Sequence, residues 1–298
     1  MQAIFSTIAL AIIVAIANTQ DLPEPGNGCG VSAIKPKSPL SRIINGEAAV
    51  PHSRPYQLLL VGFFPNGTAK FYCGASLIKP THVLTAAHCV DGNAASDIRL
   101  FPGLHEFTPS VLTPTGGIPA KQFIRHESYN SKSLANDIAI IRLEKSVDID
   151  NEKTSLICLP PASAPACTVG TPVVASGWGS LTGNPNRTGI TRPTELQQVG
   201  LECVDANNAD CRKLTYTLFF IQDKSKMCAY AANKGVCFGD SGGPLVRERT
   251  LPNGQKYFEQ VGIMSGTVDC SFSKPSPDIY ADVRYFNAWI LKTIKALP

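Results

Sequence analysis

Residues 57–63 (QLLLVGF) are apolar almost throughout, and residues 82–86, 137–143 and 260–264 are further short apolar or alternating runs, set apart by Gly, Pro and Asn turns. Runs of this length with frequent turns predict closed antiparallel sheets, an all-β fold class. Only the end of the chain has helical spacing: Tyr285, Phe286, Trp289, Ile290, Ile294 and Leu297 recur on one face from about Arg284 onward. Ordinary core packing accounts for that stripe. No internal repeat or low-complexity tract interrupts the pattern.

The two N-terminal segments break this rhythm. Residues 4–17 form an apolar run with Ala15 and Ala17 spaced for a signal peptidase, and the run is too short to span a bilayer. Residues 18–42 are rich in Pro, Gly and Ser and read as an extended segment outside the main core, ending in Ser41-Arg42. The expected organisation is a signal peptide at 1–17, a pro-segment at 18–42 and one large or two small units over 43–298, in a secreted protein without a membrane anchor.

Composition sharpens the compartment. Ten cysteines in an exported chain of 298 residues suggest disulfides. Zinc ligation competes weakly, since no two cysteines have C-x-x-C spacing. Sequons at Asn66 and Asn186 fit glycosylated surface loops. The net charge of +4 is dispersed without any Lys/Arg block, which argues against nucleic acid as a partner.

Three blocks carry candidate chemistry. Gly239-Asp240-Ser241-Gly242-Gly243-Pro244 sets a serine among glycines, where the backbone can turn sharply and the amides of Gly239 and Ser241 can point at one oxyanion. A serine needs a neutral imidazole to take its proton and a carboxylate to orient that imidazole. Thr85-Ala86-Ala87-His88-Cys89 and Asn136-Asp137-Ile138-Ala139 supply one candidate each. A G-x-S-x-G match also describes the α/β-hydrolase elbow, but that fold requires its histidine after the serine, and all five histidines here precede Ser241.

With these blocks in the order His, Asp, Ser, the chain resembles a chymotrypsin-family zymogen from about Cys29 to its end, closest in pattern to chymotrypsinogen. The match extends to Cys29-Gly30-Val31-Ser32-Ala33-Ile34, Arg42-Ile43-Ile44-Asn45-Gly46, Ser176-Gly177-Trp178-Gly179 and Pro277-Asp278-Ile279-Tyr280. The resemblance implies two six-stranded β-barrels with a catalytic triad of His88, Asp137 and Ser241 at their junction. It implies disulfides Cys29–Cys158, Cys73–Cys89, Cys211–Cys228 and Cys237–Cys270, which leaves Cys167 and Cys203 to pair. It also implies a serine endopeptidase acting on proteins or peptides, switched on by a trypsin-like protease cutting after Arg42, with the new Ile43 ammonium paired to Asp240. Protein inhibitors are further expected partners, and no cofactor or metal is expected, Leu104 standing where calcium-binding relatives carry glutamate. A catalytically silent binding protein of the same fold is the alternative, disfavoured because all three triad positions are intact.

Departures from the family concern the pocket for the side chain preceding the cut. Gly235 stands where trypsins carry the aspartate at the pocket floor, followed by Val236. Asp278 falls where a wall glycine is usual, and Gly266 follows Ser265 where many relatives have Trp. The expected specificity is therefore mixed, large apolar residues on the Gly235 and Val236 floor and Lys or Arg against Asp278. A surface position for Asp278 is the competing expectation.

Overall fold

The structure is a computed structural model and describes residues 22–25, 28–37, 46–108, 110–181, 192–205, 211, 224–267 and 276–298. The predicted signal peptide, Arg42, Ile43, Asn186 and Cys270 lie outside the described residues.

Six strands close the first barrel: β2 (Gln57–Phe63), β3 (Ala69–Lys79), β4 (His82–Thr85), β5 (Ile98–Pro102), β6 (Ile118–Arg125) and β7 (Ala139–Leu143), in the order β2-β3-β4-β7-β6-β5. All seven residues of β2 are buried because both of its faces are packed: Leu58 and Leu60 enter the barrel core, while Leu59, Val61 and Phe63 join a second cluster with Phe101, Trp178 and Leu196. This explains why the run at 57–63 shows no alternation. The second barrel is built from β8 (Pro172–Gly177), β9 (Gln197–Val204), β10 (Lys226–Tyr230), β11 (Pro244–Thr250), β12 (Lys256–Gly266) and β13 (Asp278–Asp282), closed by the β8–β9 pairing. The short strand β1 (Glu47–Ala48) adds to the free side of β9. Closure of both sheets removes the exposed edges that would template aggregation. The expected two six-stranded barrels are thus present.

The final helix spans Asn287–Ala296 and starts three residues later than its apolar stripe suggests. Asp282 is the reason: its Oδ1 accepts from the amides of Arg284 and Tyr285, holding them in a turn, and Tyr285 is left exposed. Phe286, Trp289, Ile290, Ile294 and Leu297 enter the core cluster of the first barrel. His82 Nε2 bonds the Leu297 carbonyl at 2.8 Å, tying the chain end to β4. That histidine is structural.

The pro-segment is less detached than its composition suggests. Cys29 is fully buried, the Gly30 amide donates to Leu156 and the Phe258 amide to Gly30, so the strap at 28–37 is stitched to the barrels. Disulfides Cys29–Cys158, Cys73–Cys89, Cys167–Cys203 and Cys211–Cys228 are formed. Cys237 is also disulfide-bonded, its expected partner Cys270 lying outside the described residues. Asn66 is exposed at the β2–β3 hairpin tip, its Oδ1 accepting from both the amide and the hydroxyl of Thr68.

One stabilising pair was invisible in the sequence. Arg247 on β11 and Glu259 on β12 stand directly opposite each other, and both Nε and Nη2 of the arginine lie 2.6 Å from Glu259 Oε2 with both side chains buried. Glu259→Gln strands a guanidinium charge in the interior and is expected to destabilise the fold by about 3–5 kcal/mol, read from denaturant midpoints in an inactive background. Arg247→Met with Glu259→Leu should recover most of that loss, and an unchanged midpoint in the single variant would show the pair to be solvated.

Candidate active site

The candidate cleft is organised around one buried carboxylate. Asp137 precedes β7 and is 1% exposed; its Oδ1 accepts from the His88 amide at 2.9 Å, and its Oδ2 from His88 Nδ1 and Ser265 Oγ, each at 2.7 Å. A carboxylate can only accept, so His88 carries its proton on Nδ1 and presents Nε2 as a base. His88 sits in a short 3-10 turn (Ala87–Cys89) directly after β4, pinned by the Cys73–Cys89 disulfide. Burial works against the imidazolium, but the charge and hydrogen bond of Asp137 outweigh it, and the His88 pKa is raised above its ordinary value.

Ser241 sits in a turn seated by close backbone packing. Its carbonyl accepts from the Gly74 amide at 2.7 Å, and Gly242 follows with φ +77°. A Cβ at Gly242 would lie 2.2 Å from Thr85 Oγ1 and 2.5 Å from the Gly74 carbonyl, so only glycine lets this turn nest against β3 and β4, just ahead of His88. The Asp240 amide is used within the turn, donating to Cys237, whereas those of Gly239 and Ser241 have no protein acceptor among the described residues.

Asp240 turns away from the cleft. Its carboxylate accepts from the amides of Gly179 at 2.8 Å and Cys237 at 2.9 Å. It lines a narrow cavity shared with Gly46, Gly177 and Gln198. A Cβ at Gly179 would fall 2.3 Å from Asp240 Oδ2, which explains the glycine there. Enclosure pushes the Asp240 carboxyl up, against the pull of its two amide donors and the more distant charge of Arg192. Arg192 is a residue that sequence reasoning missed: its guanidinium lies 4.8 Å over the Tyr72 ring, beside Gly239 and the Phe238 carbonyl. A lone arginine in a loop gives no signal of that position.

Of the expected specificity residues, Asp278 is not a surface acid. It is 3% exposed at the start of β13, accepting from the Val236 amide at 3.1 Å and from the Thr267 side chain. Burial, reinforced by the charge of Asp240 and opposed by those two bonds, pushes its pKa up to about 7. Gly235 lines the cavity at Asp240, while the side chain of Val236 joins the apolar core of the second barrel. Val236 therefore offers Asp278 its amide, and less apolar floor than its sequence position suggests. Ser265 is buried and Gly266 ends β12, where an added Cβ would meet the Leu134 side chain at 3.7 Å, an ordinary contact. The one cluster of metal-capable groups among the described residues, Cys73, His88 and Cys89, has both thiols in a disulfide.

The family model described as Trypsin matches residues 43–290. Trypsin of Sarcophaga bullata is 34% identical over 271 residues, 90% of this chain and 95% of that protein. Trypsin theta of Drosophila melanogaster is 33% identical over 278 residues, covering 91% and 95% respectively. Trypsin alpha of the same fly is 31% identical over 260 residues, covering 86% and 89%.

Proposed function

Because the chain belongs to the trypsin family and is a serine endopeptidase of the chymotrypsin fold, we propose that it is a secreted enzyme made as a precursor, activated by cleavage after Arg42, with His88, Asp137 and Ser241 as its catalytic triad. Ser241 Oγ attacks the scissile carbonyl as His88 Nε2 takes its proton. The amides of Gly239 and Ser241 hold the oxyanion, and His88 then protonates the leaving amine. Water repeats the sequence to release the acyl group. The observation that carries this reading is the threefold grip on Asp137 by the His88 amide, His88 Nδ1 and Ser265, which fixes the tautomer that general-base catalysis needs. Titrating kcat/KM tests it: activity should rise with pH through the raised His88 pKa, above about 6.5, and a limb unmoved by Asp137→Asn would contradict the assignment.

Activation after Arg42 is supported by the family match beginning at Ile43 and by the cavity at Asp240. Ile43 is three positions before Gly46, which lines that cavity, and three positions give the chain a reach of about 10 Å. Secretion and use of the Asn66 sequon are supported by the apolar run at 4–17 and by the disulfides.

Primary specificity is mixed, and it depends on pH. Below about 7 the Asp278 carboxyl is protonated and neutral, so the pocket takes large apolar side chains; above it, the carboxylate attracts Lys or Arg. The His88 limb is common to all substrates and cancels in a ratio. The ratio of kcat/KM for Arg over Phe substrates should therefore climb as pH passes through about 7, and in Asp278→Gly it should be low and flat. An unchanged ratio in that variant would remove Asp278 from the pocket.

A further inference from the structure

A second cavity, about 750 Å³, opens between the strap and the barrels and shares no residue with the catalytic cleft. Its volume is that of a small-molecule site. Pro172, Val174, Val246 and Phe258 give it an apolar wall from β8, β11 and β12, and Pro36 of the strap closes the other side.

Its polar content is cationic. Among the described residues Lys35, Lys37, Lys256 and Arg54 line it against one acid, Glu248; Lys256 pairs with Glu248 and Lys37 with Glu47, which leaves Lys35 and Arg54. Arg54 is the unusual member. It is 3% exposed, yet it pairs with no carboxylate among the described residues: Nε and Nη2 donate to Gln198 Oε1, Nη1 to the Tyr56 hydroxyl at 3.4 Å, and the ion lies 4.9 Å over the Phe258 ring. At least two of the five N–H donors of a guanidinium thus have no partner among the described residues. A buried charge held only by neutral groups is costly unless an anion completes it.

We propose that this cavity binds an amphipathic carboxylate, its head on the Arg54 guanidinium and its alkyl body against Val174, Val246 and Phe258. Lys35 of the strap adds attraction at the mouth, so a bound molecule also fastens the strap to the second barrel. The ring of Phe258, already under the guanidinium, makes the junction between head and body.

Calorimetric titration of the intact precursor, in a Ser241→Ala background, with dodecanoate below its micelle concentration tests the site. One molecule per chain should bind, dodecan-1-ol and inorganic phosphate should each bind at least tenfold more weakly, and Arg54→Gln should weaken dodecanoate at least tenfold. Lys35→Glu, an exposed change that does not touch the core, should weaken it several-fold and decides the matter if Arg54→Gln does not fold. Equal binding of acid and alcohol, equal binding of phosphate, affinity indifferent to these substitutions, or no saturable binding would each overturn the proposal.

Discussion

Ser241→Ala is expected to leave a folded chain with all its disulfides and to cut turnover by on the order of 10⁴–10⁶. The fold should tolerate the change because the contacts that seat this turn come from backbone: the Ser241 carbonyl on Gly74, the Gly242 amide on Met264 and the Gly243 amide on Asp240. The chemistry should not, because no hydroxyl is left at this position to form the covalent acyl intermediate. A small residual rate over water remains, since the amides of Gly239 and Ala at 241 still stabilise an oxyanion formed by attacking water. His88→Ala and Asp137→Ala combined with Ser241→Ala should add little further loss, because the three groups act as a unit. Near-normal peptide hydrolysis by Ser241→Ala, measured with purified and activated protein, would remove Ser241 from the reaction.

Arg42→Gln is expected to give a precursor that resists trypsin at that bond and stays on the order of 10²–10³-fold less active than the cleaved enzyme. The estimate follows from losing one buried ion pair, about 3–5 kcal/mol when a partner is missing, spread over the equilibrium that orders the oxyanion loop. In the described structure Asp240 is held by two amides with its pKa raised by enclosure, a state that an ammonium ion would relieve. In the proposed activation, cleavage after Arg42 would supply that ion at Ile43. A free α-amine has a pKa of about 7.7–8.0, pairing raises it, and the charged form is lost only as pH climbs past the raised value. Activity should therefore show an alkaline limb that N-acetylation of Ile43 abolishes together with activity. The released strap should stay attached through Cys29–Cys158 and separate only on reduction. Full activity in uncut Arg42→Gln would contradict the activation scheme.

The strands of the first barrel were legible where burial on both faces made the run continuously apolar, as in β2, and poorly legible where it did not. In β6, Pro119 and the exposed Lys121 and Gln122 break both the apolar run and the alternation. The order β2-β3-β4-β7-β6-β5 depends on closure between distant segments, which local periodicity does not encode. The candidate triad could be named because acyl transfer restricts the residue types and their order, and the structure joins two of its members, His88 and Asp137. Asp278 could be named but not placed: the same residue would serve as a surface acid if the preceding loop were shifted, and its bond to the Val236 amide decides between them. Arg54, Arg192 and the Arg247–Glu259 pair gave no signal, since their roles come from what the fold brings beside them. The late start of the final helix reflects a competition in which the Asp282 side chain captures two amides before the apolar stripe can become helical.

Labelling with diisopropyl fluorophosphate, mapped by mass spectrometry, tests the catalytic assignment most directly. The account predicts one phosphoryl adduct per activated molecule, on Ser241, with activity lost in proportion to labelling and with labelling much slower in the uncut precursor and in His88→Ala. Full activity in stoichiometrically labelled protein, or an adduct on another residue that tracks the loss of activity, would contradict it.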